Sequence, residues 1–486
     1  MDTRRSTCWS AWRGVGLMAL LLTCAGCVDN HSFAPVPLPP FLFGDYETKP
    51  LAPLKDSDTK AKLPPSGKAT LLPPTELPDP HKLTLDAVIK EALQSDPKIR
   101  AAAENISQAS ADLWTASLAP NPVMTTSGTL LPLTRPFTVD AQGGPPQFDV
   151  GFSFPTAWLL FGQRQAAMDN ARVGVNVAAA DFTDLVRQRI ADTVAAYYDV
   201  LEAKALLDLA REDQETQKRL DGITKDRVKI GGVGAIEVDR IRLAVLDADR
   251  EVRKREAVLV TARTALQAQL GRLEIDPQFD VDGSLDVAAA PPAPPQLQQA
   301  ITIADQYRPD IVSLRLQIAK SEFGLKQEQT KAYPEVTPHL GYTRQFQERA
   351  IGFPDASSYG IGLDVDIRLF DRNQGNISKA RSIIVQNQYN LHAQFAQVRG
   401  EVSQAVEDYR IAHAALTTDD PERLKMAISV RDRIEAAYKA GGRPLIEVLD
   451  AQRAYRETLR TFTLDQSAYW HALHHLNATL GRQVLR

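Results

Sequence analysis

One motif occurs twice, 210 residues apart, and sets the plan of the chain. Lys229-Ile-Gly-Gly-Val-Gly-Ala-Ile-Glu-Val-Asp239 and Lys439-Ala-Gly-Gly-Arg-Pro-Leu-Ile-Glu-Val-Leu-Asp450 share a Gly-Gly pair followed, at the same spacing, by Ile-Glu-Val. Each pair lies between two long runs of helical periodicity. Glycine takes the left-handed conformation that ends a helix. Pro444 then opens the next helix where a missing N–H costs nothing. The chain is therefore built twice, each copy with one sharp helical reversal. A unit of roughly 200 residues is a duplicated domain, not a short-repeat solenoid.

The first repeat spans residues 83–287. Leu85, Val88, Ile89, Ala92, Ile99, Ala103 and Ile106 predict one helix to about Leu118, stopped by Asn121-Pro122. Strands follow at Met124–Leu131 and Phe148–Phe154. Helical periodicity then runs from Gln163 to Lys229, with Phe182, Leu185, Val186, Ile190, Val194, Tyr197, Leu201 and Ala205 as its apolar seam, and again from Ile236 to Leu270. A proline-rich joint, 288–296, separates the repeats. The second, 297–486, predicts a helix at Leu297–Ala332 and strands at Val336–Arg344 and Tyr359–Leu369. A helix over Asn376–Ala440 follows, broken or kinked at Asp419-Asp-Pro421, and then a helix over Pro444–Leu480. A helix of about 65 residues is on the order of 100 Å long, and the shorter helices stacked end to end would match it. Each repeat is thus a pair of rods, with a strand hairpin at one end and the Gly-Gly turn at the other.

The strands alternate in polarity. Ile361, Leu363, Val365, Ile367 and Leu369 face one way, and Gly360, Gly362, Asp364, Asp366 and Arg368 the other. Phe148, Val150, Phe152 and Phe154 alternate likewise. A sheet on a soluble core would show this pattern, and so would strands of about 10 residues between lipid and water. Four strands cannot close a barrel, and open edges cannot face lipid because unpaired backbone groups there are costly. Strands in a membrane would therefore need several chains to share one barrel.

The start of the chain is an address. Arg4, Arg5 and Arg13 precede the apolar run Val15–Leu22 and Thr23-Cys-Ala-Gly-Cys27. Residues 1–26 read as a secretory signal peptide. Cys27 after Ala25-Gly26 resembles a bacterial lipoprotein site, with the thiol lipidated; an ordinary signal peptide is the alternative. Residues 27–82 are a proline-rich tether. Cys8 and Cys24 fall in the removed part, so no disulfide is expected. A formal net charge of −4, with both signs interspersed, argues against a nucleic-acid partner. No run is long enough for a transmembrane helix. His471, His474 and His475 share a helix face, but no Glu or Cys completes a metal site, so no metal is assigned. No catalytic motif stands out, and no enzyme or cofactor is expected.

From Leu83 to Arg482 this organisation resembles the TolC-type outer-membrane efflux protein family. Asn121-Pro122-Val123 and Phe161-Gly-Gln-Arg164 look most like its heavy-metal (CzcC/CusC-like) branch. The resemblance implies a mainly α fold with a small β part: a long α-helical coiled-coil barrel plus four transmembrane β-strands per chain, completed as a 12-stranded barrel in a homotrimer. It implies the exit duct of a tripartite pump, lipid-anchored in the outer membrane, with a periplasmic adaptor and an inner-membrane transporter of the RND type as partners and heavy-metal cations as substrate. Tyr438 and Arg443 match gate residues that link neighbouring coiled coils, and Glu237 matches an acid accepting those links. Glu447 and Asp450 match acids around the narrowest ring, where three copies would attract cations. Without the resemblance they read as solvated acids near a helix N-terminus. Gly231, Gly232, Ala235, Ile236, Gly441, Gly442, Pro444 and Leu445 match the tips that meet the adaptor. A lipid-anchored coiled-coil scaffold or adhesin is the rival reading.

Overall fold

The computed structural model describes residues 82–485, except 132, 136–137, 141–143, 230, 232–233 and 288–289. The signal peptide, Cys27, the tether before Lys82 and Gly232 lie outside the described residues. In chain order the elements are β1 (Lys82–Leu83), α1 (Leu85–Ser95), α2 (Pro97–Ser117), β2 (Val123–Thr129), β3 (Gln147–Ser153), α3 (Ala157–Leu160), α4 (Gln163–Lys229), α5 (Ile236–Gln269) and β4 (Asp280–Val281). The second repeat adds α6 (Leu297–Tyr307), α7 (Pro309–Thr330), β5 (Val336–Gln345), α8 (Glu348–Ile351), β6 (Ala356–Val365) and α9 (Gln374–Ala414). It ends with a π-helical turn (Ala415–Asp419), α10 (Asp420–Lys439) and α11 (Leu445–Leu480).

Helix α4 runs unbroken for 67 residues, about 100 Å at the α-helical rise. Its counterpart in the second repeat is α9, the π-turn and α10, of 41, 5 and 20 residues. The Asp419-Asp-Pro421 segment is therefore not a break: a π-turn leads directly into α10. Pro421, which has no N–H to give the preceding turn, follows directly on the π-turn that carries the helix through. In α11, Pro444 is the N-cap and Leu445 the first helical residue.

Two helices predicted as single are each split by a proline. Pro97 and Pro309 open α2 and α7, and Asp96 and Arg308 before them are extended, as a residue preceding proline tends to be. The splits are built alike. Asp96 takes a 2.6 Å bond from Arg189 on α4, and Arg308 gives a 2.6 Å bond to Glu401 on α9, each pair 93 residues apart in the chain. The two repeats thus hold the same joint with the charges exchanged. Burial alone would raise the Asp310 carboxyl, but the adjoining Arg308 guanidinium and the Ile311 N–H bring it below the ordinary range. Gly271 and Gly481, both with positive φ, close onto these joints. A Cβ on Gly271 would sit 2.5 Å from Pro97 Cδ, and one on Gly481 3.0 Å from the Tyr307 carbonyl.

The helices lie in single file. Above the joints the order is α2, α4, α7, α9; below them it is α5, α4, α11, α10. The sheet has order β2-β3-β5-β6, antiparallel throughout. It departs from the expected strands mainly at two ends: β2 stops at Thr129, leaving Leu130 and Leu131 outside, and β6 runs from Ala356 to Val365, leaving Ile367 and Leu369 outside. A short parallel pair, β1 with β4, was not foreseen. It joins the start of the first repeat to its end, over a core that includes Leu83, Val194, Leu201, Leu207, Leu266 and Phe279. A separate core of Ala300, Ile311, Val402, Tyr409, Leu473 and Leu476 holds the second repeat.

Candidate functional site: the helix tips and the strand layer

At the tips, Leu220, Ile241, Tyr438, Leu445 and Val448 form a small core between the hairpins of the two repeats. Tyr438 is fully buried in it. The Thr224 hydroxyl donates to the Leu220 carbonyl at 2.8 Å, so its oxygen is left to accept from the Tyr438 hydroxyl at 3.0 Å. One turn on, Arg227 lays its guanidinium 4.5 Å from the centre of the Tyr438 ring and donates to the Tyr438 carbonyl at 2.9 Å. That carbonyl, at the end of α10, also takes the Gly441 N–H at 2.9 Å. Gly441 has φ +80°, ending the helix as its sequence predicts. A cation on terminal carbonyls suits the helix dipole. The first repeat thus grips the second through Thr224 and Arg227.

The other residues expected at a gate are placed differently. Glu237 is held by Arg240 on its own helix at 3.2 Å, with no contact to Tyr438 or Arg443 in the chain. Its second oxygen is buried without a hydrogen-bond partner among the described residues. Arg443 bonds Glu447 at 3.1 Å, and Arg453 lies 3.8 Å from Asp450. Both acids proposed for a ring therefore carry an arginine of their own. Gly231 has φ +73° and open space around it, and Ala235 and Ile236 are exposed. Gly442 donates to the Ala437 carbonyl. Leu445 is not on the tip surface: it is buried in the small core beneath it.

Sequence reasoning missed Thr224 and Arg227. Their signal was an i, i+3 pair in the last turns of α4, the spacing that puts two side chains on one face. The histidines make no metal cluster among the described residues. His471 pairs with Asp199, and His474 meets the Tyr198 hydroxyl at 3.2 Å. Burial, then His471, lowers His474 to about 4.

The strand layer has two chemically distinct faces. Register aligns Met124, Phe152, Leu340 and Ile361 across one face, and Ser127, Asp149, Thr343 and Ser358 across the other. Thr343 and Ser127 donate to Asp149 on the polar face. The apolar face is uncovered: Ile361 is 91% and Tyr359 84% exposed. The outer edges of β2 and β6 have no strand partner in the sheet. Among the described residues no helix is long and apolar enough to cross a membrane.

Comparison with known proteins gives this arrangement its family. The model of the outer membrane efflux protein family matches residues 88–272 and 300–482, one stretch in each repeat. The cobalt-zinc-cadmium resistance protein CzcC of Cupriavidus metallidurans is 25% identical over 372 residues, covering 76% of this chain and 83% of that protein. The probable outer membrane lipoprotein SilC of Salmonella typhimurium is 21% identical over 390 residues, 77% of this chain and 80% of that one. The Campylobacter jejuni CmeC outer membrane channel superposes with a TM-score of 0.65 at 15% identity, over 83% of this chain and 87% of that one. The duplicated helical rods, the four-stranded sheet and the Gly-tipped hairpins are thus those of the outer membrane efflux protein family, to which this chain belongs.

Proposed function

We propose that three copies of this chain close into one exit duct, with a 12-stranded barrel in the outer membrane and a helical tunnel in the periplasm. The observation that carries this reading is the four-stranded sheet, apolar and bare on one face, polar on the other and unpaired at both edges. In lipid such edges need strand partners, and β2 of another copy is the complement of β6: antiparallel, with the same alternation. Single file continues down the helices, so one ring closes at every level.

The chain is anchored by lipid on Cys27 after removal of residues 1–26, with residues 27–82 as tether. Its partners are a periplasmic adaptor at the Gly-tipped hairpins and an inner-membrane transporter of the RND type. The cargo is heavy-metal cations, a reading supported by the likeness to a protein named for cobalt, zinc and cadmium resistance. The gate is Tyr438 with Thr224 and Arg227 inside each chain, and Glu237, Arg443, Glu447 and Asp450 around the axis.

Conductance of the purified protein in planar bilayers tests the duct, with Arg227→Ala alongside a closed wild type. Cation-selective currents that Zn²⁺ blocks support both duct and acidic ring. Currents without block keep the duct and remove Glu447 and Asp450 from the ring. Silence from both proteins, with a monomeric mass, favours the scaffold.

A further inference from the structure

The four strands of the sheet distribute their charges unequally. Their acids are Asp149 and Asp364, and their bases are His339 and Arg344. Register puts Asp149 in one row with Ser127, Thr343 and Ser358, and Asp364 opposite Thr337, all on the polar face. Arg344 falls on the other face, where it aligns with Phe148, and it pairs with Asp355 at 3.5 Å. The polar face of the strands thus carries two acids and no lysine or arginine. Arg368, just beyond β6, is held by Asp366 at 3.4 Å and by the Lys331 carbonyl.

The partners of both acids fix them in place without a lysine or arginine. Asp149 accepts from the Thr343 hydroxyl at 2.6 Å and from the Ser127 hydroxyl at 3.2 Å. A carboxylate only accepts, so His339 Nδ1 donates to Asp364, at 3.1 Å. His339 reaches it by lying over Gly362, where a Cβ would stand 2.2 Å from the imidazole Nε2. The Asp364 side chain itself is 74% exposed. Between the levels of the two acids, Gly151, Gly341 and Gly360 stand in one row. They leave the wall bare there, and a Cβ on Gly360 would meet nothing within 4 Å.

We infer that Asp149 and Asp364 make the barrel wall the charge filter of the duct, passing hydrated cations in preference to anions. The inference rests on the duct reading, which turns the polar face inward, and it assigns the filter to the barrel instead of the helix tips. In a trimer the two acids form two rings. Asp364 is six residues along β6 from Ser358, which shares the row of Asp149, so the rings are about 20 Å apart along the strands. Twelve strands spaced about 4.8 Å and tilted about 40° enclose a barrel roughly 24 Å across, or roughly 12 Å from wall to axis. An ion on the axis keeps its water, and the wall acts on it only through its field. That field reaches about 30 Å in 0.01 M salt and about 3 Å in 1 M salt. Selection made by the wall must therefore fade as salt rises. At the tips Glu447 and Asp450 each lie beside an arginine, which offsets their field at a distance. A narrow ring there would select by contact and would keep its preference in concentrated salt.

Reversal potentials in planar bilayers test the filter through the permeability ratio of K⁺ over Cl⁻, with Arg227→Ala as the open parent. The parent ratio should lie severalfold above one in dilute KCl and approach one near about 1 M. Asp149→Asn with Asp364→Asn preserves side-chain shape and should bring the ratio close to one in dilute KCl. Gly360→Lys adds a positive charge to the same wall without touching either acid and should also lower the ratio, so a local distortion in the double variant does not decide the result. A parent with no cation preference in dilute KCl overturns the filter and leaves the duct. So does a ratio that neither variant changes, or one that stays high near about 1 M and is lost with Glu447→Gln and Asp450→Asn. Silence from the parent and every variant overturns the duct, and this inference with it.

Discussion

Replacing Arg227 by Ala removes the grip of the first repeat on the second. Two contacts go: the charged hydrogen bond to the Tyr438 carbonyl and the cation–π contact on its ring. A hydrogen bond to a charged group contributes about 1.5–3 kcal/mol and a cation–π contact about 0.5–2 kcal/mol. The lower end applies, because the Tyr438 carbonyl keeps its bond from Gly441 and is not orphaned. About 2 kcal/mol per chain shifts the closed-to-open ratio at each tip by roughly 30-fold. Single-channel recording should show larger and more frequent openings, while the melting temperature hardly moves, since the main cores lie elsewhere. Arg227→Lys keeps the charge but loses the planar fork and should fall between. Arg443→Ala is the informative companion. Its 3.1 Å pair with Glu447 is exposed and lies within one helix, worth about 0.3–0.5 kcal/mol. An equal rise in conductance from Arg443→Ala would mean that Arg443 makes its gate contact to a neighbouring copy. Wild-type conductance from Arg227→Ala, and again from Arg227→Ala with Tyr438→Phe, would refute the latch.

Gly271→Ala should destabilise the fold by more than the about 1–2 kcal/mol of left-handed strain, because its Cβ also meets Pro97. Gly441→Ala, with only the Arg227 side chain nearby, should cost that strain alone; urea unfolding separates the two. Ile361→Lys, on the bare apolar face, should weaken insertion into vesicles by about 2–4 kcal/mol if Ile361 lies near the bilayer midplane. Vesicle insertion as efficient as wild type would argue against a lipid-facing sheet. His474 has a folded value of about 4 against an ordinary 6.5. The unfolded chain therefore takes up its proton first as pH falls. Stability is fully present above about 6.5 and declines toward 4, by at most about 3 kcal/mol. His474→Asn should flatten that decline, read as unfolding midpoints at pH 7.5 and pH 5.

The long elements were legible because periodicity accumulates over many turns. The boundaries of α4, at Gln163 and Lys229, were read correctly from the pattern. The splits at Pro97 and Pro309 were not, because apolar spacing continues across them and proline is welcome in a helix's first turn. The β1–β4 pair is only two residues long on each side, too short to show alternation. At the tips the Gly-Gly turns and Tyr438 could be found by motif. Thr224 and Arg227 could not, since their role depends on which face of α4 meets α10, and that is set by packing between repeats. Leu445 was placed at the tip by resemblance alone, yet an apolar side chain at the start of α11 is where the tip core begins.

Duplication explains why one joint occurs twice and the latch once. Asp96–Arg189 and Arg308–Glu401 tie a short helix to the long helix of the same repeat. Such a pair works in either polarity, provided both partners change together, and the two repeats have opposite polarity. Removing Arg189 alone would leave Asp96, almost fully buried, without its partner, a loss of about 3–5 kcal/mol. The latch is different in kind because it joins one repeat to the other. Counting back 210 residues, Tyr438 corresponds to Val228, and Arg227 to Ala437. The Arg227 bond goes to a main-chain carbonyl that any residue offers, but the guanidinium and the ring it stacks on are side chains that each occur in one repeat alone. The hairpin carrying Tyr438 also contains the π-turn, whereas α4 is continuous. A π-turn is a wider turn with an added residue, and helices kink at such turns more readily than along an unbroken α-helix. In the proposed gate, then, the hairpin of α10 and α11 is the part that swings once released from Arg227, and α4 is the post it swings against.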